Sequence, residues 1–282
     1  MSTPKDTYPT SERRYPADDP SGEGYPETDR IYPNTLSNAG LDTSDGSSAE
    51  RSPPSARHDR DVSSLDQLDN AVTDLLIQRG TRELRDGRWP EAEQAFTCAL
   101  YTPGARGSRR TVAVVGVSQA RLFGRLDTRG AFTMLHSVLH ADKRCAHAHV
   151  VAAMLFGTPD DGLLDRQRSA THTEIARRLL VEETEPSNRD TDLIALNAVG
   201  ELFNTAMGGD AHAFLRARRL CEGELRGALS PVTRCLVLEA EAMGHLAAGD
   251  LDEEEATLDH VLRMSREIGF AAAEARVLSR LA

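Results

Sequence analysis

Two stretches far apart in the chain carry the same phrase. The first reads Leu84-Arg-Asp-Gly87-Arg-Trp89-Pro-Glu-Ala92-Glu-Gln-Ala-Phe96-Thr-Cys-Ala99-Leu100. The second reads Leu246-Ala-Ala-Gly249-Asp-Leu251-Asp-Glu-Glu-Glu-Ala-Thr-Leu258-Asp-His-Val261-Leu262. Each is a helix end, a glycine turn, a large apolar residue and a second helix with small and large apolar residues at fixed offsets. A pair of helices built this way cannot bury its own apolar face and has to stack on similar pairs. The phrase therefore points to an all-α helical repeat, a surface for binding rather than a pocket for chemistry.

Helical periodicity continues between the two phrases. Leu68, Val72, Leu75 and Leu76 predict a helix capped by Ser64 or Asp66 and ended by Gly87. Pro90 sits early in the next helix, where its missing N–H costs nothing. A second unit is expected over 109–141 with Gly124-Arg125-Leu126 as its turn. A third begins near Ala146, is interrupted at 157–162, and resumes with Ile175, Leu179 and Leu180. A fourth turns at Gly208-Gly209, and a fifth starts at Ser230-Pro231, a cap followed by a first-turn proline. Residues 270–282 read as a lone terminal helix closing the stack.

Units one and five resemble tetratricopeptide (TPR) repeats. Gly87, Trp89, Ala92, Phe96 and Ala99 match the turn glycine, the large apolar residue and the small–large–small run of the second helix. Gly249, Leu251, Leu258 and Val261 follow the same pattern, with Glu254 where a small residue belongs. The ending Met264-Ser-Arg-Glu-Ile-Gly-Phe is similar to the long TPR units of bacterial signalling ATPases and regulators. The resemblance implies a right-handed α-solenoid of about five helix hairpins over 65–282, with a concave face for a partner peptide or helix. First helices would line the groove and second helices would back it.

Residues 1–64 differ in kind. They are poor in aliphatic residues and rich in Pro, Ser, Asp, Arg and Gly, so apolar burial cannot offset ordering entropy there, and disorder is predicted. Four of the five tyrosines lie here, each before a proline, which favours extended backbone. Within this tail Ile31-Tyr32-Pro33-Asn34-Thr35-Leu36 resembles the late-domain peptide by which viral and some cellular proteins recruit a budding adaptor; Tyr32, Pro33 and Leu36 would carry it. A spacer is the simpler reading of the same segment.

A formal charge of −11 argues against a general nucleic-acid binder. No apolar run reaches the roughly 18 residues a membrane span needs. Cys98, Cys145, Cys221 and Cys235 form no CxxC pair, which suits reduced thiols and a cytoplasmic protein. The partner expected is another protein or peptide. Arg82 and Arg85 in unit one, and Arg216 and Arg219 in the basic stretch of unit four, are candidates for pairing with its carboxylates; Arg88, Arg218 and Arg226 lie beside them.

Two patterns suggest other chemistry. Thr111–Val117 followed by Gly116-Val-Ser118-Gln-Ala120 approaches a nucleophile elbow, with Ser118 as nucleophile and His245 or His260 as base. The helical reading of 65–110 leaves no strands to support such an elbow, and Val112, Val115, Gln119 and Leu122 share one helical face. His136 and His140 have the i, i+4 spacing of a metal pair, near Asp142, Cys145, His147 and His149, but no third ligand stands at a recognised spacing. No nucleotide loop, HExxH or EF-hand pattern occurs, so no enzyme activity, cofactor or metal is expected. The alternative to an adaptor is a regulatory protein whose repeats read a ligand.

Overall fold

A computed structural model describes residues 56–157, 163–182, 190–227 and 229–282, with side chains from residue 64 onward. Tyr32, Pro33 and Leu36, the tail up to residue 55 and the acidic run 183–185 lie outside the described residues.

Eleven α-helices and no strand are found among the described residues. They are α1 (Ala56–Arg85), α2 (Trp89–Leu100), α3 (Gly107–Arg125), α4 (Thr128–Ala141), α5 (Ala146–Gly157), α6 (Arg166–Glu182), α7 (Thr191–Ala206), α8 (Ala211–Leu225), α9 (Pro231–Ala248), α10 (Leu251–Glu267) and α11 (Ala271–Leu281). Successive pairs form five hairpins, and α11 stands alone at the end. Ser64 and Asp66 cap nothing: α1 begins at Ala56, so both lie inside the helix.

Local chemistry explains most boundaries. Gly87 adopts φ 75°, the left-handed turn that stops α1, and Pro90 follows in the first turn of α2. Asp127, Asp190, Asp210 and Ser230 cap α4, α7, α8 and α9 by accepting from the backbone N–H of Gly130, Leu193, Ala213 and Thr233. Asp252, Glu253 and Glu254 occupy the first turn of α10, beside the positive end of its dipole.

The turn of the second hairpin departs from the expected one. Gly124 remains helical, and the left-handed residue is Leu126 at φ 54°. Gly124 is a packing residue instead: a Cβ there would come within 2.3 Å of Cβ of Trp89. The same device recurs twice. The Phe96 ring of α2 sits against Gly116 of α3, and the Phe214 ring of α8 against Gly244 of α9, where an added Cβ would lie 2.5 and 2.1 Å from the ring. An aromatic of one hairpin thus fills the gap left by a glycine on the first helix of the next.

The helices divide into two layers. Helices α1, α3, α5, α7, α9 and α11 pack on one another in that order, whereas α2, α4, α6, α8 and α10 each touch only the helices before and after them in sequence. Every residue of α5 from Ala148 to Phe156 is buried, as a helix apolar on all sides requires, and it packs against α3, α4, α6 and α7.

The ends of the stack also meet. Helix α1 packs on α9, and α3 on α11. The Trp89 indole nitrogen donates to the Gly269 carbonyl over 3.1 Å, and the rings of Trp89, Phe123 and Phe270 form a buried triad with centroids 5.2–5.7 Å apart. A linear stack in which each hairpin touches only its neighbours has no such contact.

Candidate functional site

The inner layer lines a partly open cavity of about 430 Å³. Its wall comes from the first helices of four hairpins and from the lone terminal helix: Phe123 of α3, Met154 and Gly157 of α5, Gly200 and Phe203 of α7, Glu239, Met243 and Leu246 of α9, and Ala275, Arg276, Ser279 and Arg280 of α11. Met207 after α7 and Ser169 of α6 complete it. Three methionines and two phenylalanines make the lining apolar and adaptable, because unbranched thioethers repack around guests of different shape.

One ion pair is set into this apolar wall. Val232, Leu236, Glu239 and Met243 follow helical spacing on α9, so the backbone periodicity carries Glu239 inward with its apolar neighbours. Glu239 is 2 % exposed. Its two carboxylate oxygens accept from Nε and one terminal nitrogen of Arg276, at 2.6 and 2.8 Å. The Arg276 guanidinium also lies 5.9 Å from the centroid of the Phe270 ring. One helical turn on, Arg280 donates to Glu254 of α10 over 2.9 Å. Burial, with the nearby Glu239 charge adding to it, pushes the Cys235 thiol up to about 12, so it stays protonated and unreactive at neutral pH.

A second, smaller cavity of about 50 Å³ marks where α1 meets the starts of α7 and α9. Arg85 lies here. One of its terminal nitrogens donates to both carboxylate oxygens of Asp190 at 2.9 and 3.0 Å. Asp192, 4.0 Å from Nε of Arg85, in turn accepts from the Ser230 backbone N–H. His147 Nε2 donates to the Gln119 carboxamide oxygen at 2.8 Å. Desolvation lowers its pKa to about 4, against a smaller opposing pull from Asp190, so the ring is neutral at pH 7.

The remaining candidate residues fall in separate places. Arg82 is exposed on α1. Arg216 and Arg219 are exposed on α8, which does not touch α1, so the four arginines do not form one surface. Arg88 pairs with Glu83 and Asp86, Arg218 with Glu241 and Arg226 with Glu222.

Ser118 lies inside α3, fully buried, its hydroxyl donating to the Val114 carbonyl over 2.8 Å. The run 111–117 is helix, so no strand-to-helix turn presents that oxygen to a substrate. The histidine cluster splits up. His149 Nε2 donates to the Lys143 carbonyl and His149 Nδ1 accepts from His172 Nδ1 at 2.8 Å, while the His172 ring stacks on Phe156. Among the described residues no three His, Cys, Asp or Glu side chains are grouped to hold a metal ion, and no helix is long and apolar enough to cross a membrane.

No known family, curated protein or solved structure matches this chain.

Leu246 opens the second repeated phrase and Leu126 belongs to an expected turn, but no motif marks most of the residues that line the main cavity. One signal was present: an acidic residue, Glu239, in the apolar stripe of α9, and an arginine, Arg276, beside the buried Ala272, Ala273 and Val277 of α11. A charge of each sign on two inward faces is the mark of a buried pair.

Proposed function

We propose that this chain is a TPR-like helical-repeat binding protein, its hairpins wound as a right-handed stack, that holds an apolar segment of a partner protein in its central cavity. The observation that carries the reading is the cavity's construction. Its wall is made mainly by the first helices of successive hairpins, the face a repeat protein of this kind turns toward its ligand, with the lone α11 closing one side. Met154, Met207, Met243, Phe123 and Phe203 supply the apolar contact for such a segment. The four cysteines carry free thiols, which suits a cytoplasmic setting.

A second reading rests on the cavity's size. Small-molecule sites span roughly 300–1,000 Å³, so the same space suits a ligand whose arrival tightens the inner layer, and the chain would then be a ligand-responsive regulator.

Photo-crosslinking from within cells separates these. Ser279 is exposed at the cavity wall, and Arg129 is exposed on the outer helix α4. A benzophenone amino acid at position 279 is expected to capture a discrete protein that position 129 does not. Equal capture from both positions would contradict the adaptor. A small-molecule adduct at 279 in place of a protein would transfer the case to the regulator.

A further inference from the structure

We propose that α1 is a self-pairing helix, through which two copies of this chain associate antiparallel. Helix α1 is 30 residues long, whereas its hairpin partner α2 has 12, so α1 extends well past the helix beside it. One face of α1 belongs to the fold: Thr73 is fully buried, Leu84 is buried, and Leu76 and Ile77 pack on the core. A different face carries Leu65, Leu68, Val72 and Leu75, exposed by 62, 60, 40 and 65 %. Their spacing of three, four and three residues is the seam of a coiled coil, not the scatter of single apolar residues normal on a surface.

The seam is its own complement. In an antiparallel pair centred at residue 70, Leu65 meets Leu75 of the second copy and Leu68 meets Val72 of the second copy. Every layer is apolar against apolar, and the alternation of the two seam positions is preserved across the axis. The next seam positions toward the C-terminus are Arg79 and Arg82, both exposed. A parallel pairing would set Arg79 against Arg79 and Arg82 against Arg82. Ala71, small and exposed, flanks the axis and lets the backbones approach. Asp69, the acidic residue nearest the axis, lies on the flank facing the α2–α3 turn, where its carbonyl accepts from Thr73. A seam of four residues is short, so the association is weak and reversible.

Sedimentation velocity on the full chain tests this, over a range up to about 200 μM, where associations of micromolar strength are visible. The expected result is a monomer–dimer equilibrium, with the dissociation constant raised at least about 100-fold by Leu68→Glu with Leu75→Glu. Because both residues are exposed, the melting temperature of that variant at low concentration should equal the wild type's. Orientation is read by cysteine trapping in a Cys98→Ser background. Ala71→Cys, beside the axis, should form a disulfide-linked dimer, and Gln78→Cys, displaced from it, should not. A wild type that stays monomeric throughout, or equal trapping at both positions, would overturn the proposal.

Discussion

Arg276 grips both carboxylate oxygens of Glu239 across the inner layer, joining α11 to α9 in an otherwise apolar wall. The pair is a consequence of Glu239's place on the buried stripe of α9: a carboxylate so fully removed from water needs a cation beside it. Removing one partner strands the other charge. Arg276→Ala should therefore destabilise the fold by about 3–5 kcal/mol, whereas Glu239→Leu with Arg276→Leu together should cost far less. Urea unfolding of the two variants checks this; equal losses would show that packing, not the charge, carries the effect.

Gly116→Ala and Gly244→Ala test the aromatic-into-glycine contacts. Alanine in a helix interior normally stabilises by about 1 kcal/mol relative to glycine. Here the new methyl would meet the rings of Phe96 and Phe214, so both changes should destabilise, by about 1–3 kcal/mol. Chemical denaturation gives the sign directly, and a gain in stability would contradict the packing.

Acid should loosen the region around α5 before the carboxylates titrate. Desolvation lowers His147 and His172 to about 4 and also lowers His149. Between pH 6.5 and 4 the unfolded chain binds these protons and the folded one does not, so stability is full above 6.5 and declines as pH falls toward 4. Melting temperatures at pH 7.5, 6 and 5 should fall in that order. His172→Asn should flatten the decline, and a flat wild-type profile would count against the burial of these rings.

Much of the hairpin order was legible because its signals are local. Gly87 before Trp89-Pro90, and Gly249 before Leu251, are turn and helix-start residues within a few positions of one another, and apolar spacing marks the helices between. The second hairpin misled for the same reason. Gly124 looks like a turn glycine by position, yet what it accommodates is Trp89 on a neighbouring helix, and a contact between hairpins leaves no trace in the residues around it. The start of α1 at Ala56 was hidden by composition, since 56–63 has too few apolar residues to display a period. Arg85 shows the limit for sites: its chemistry as a cation was evident, but its partner Asp190 stands 105 residues away. The cavity and the meeting of the first and last hairpins depend on how the hairpins add up, which no single segment encodes.

That meeting also predicts the cost of removing its centre. Trp89 is 4 % exposed and contacts both Phe123 and Phe270. Trp89→Ala should destabilise by about 3–5 kcal/mol. Trp89→Phe should cost less, about 1–3 kcal/mol, chiefly because the Gly269 carbonyl loses its donor.

Trp89 is the sole tryptophan of the chain, so its indole N–H gives a single, unambiguous nuclear magnetic resonance signal. Hydrogen exchange at that proton reports whether the end of the last hairpin packs on the first, beside the α3–α11 contact that bounds the cavity. Slow exchange in the full chain, becoming fast when residues 269–282 are deleted, is the predicted result. Fast exchange in the intact protein would contradict the closed arrangement on which the cavity and its proposed occupant rest.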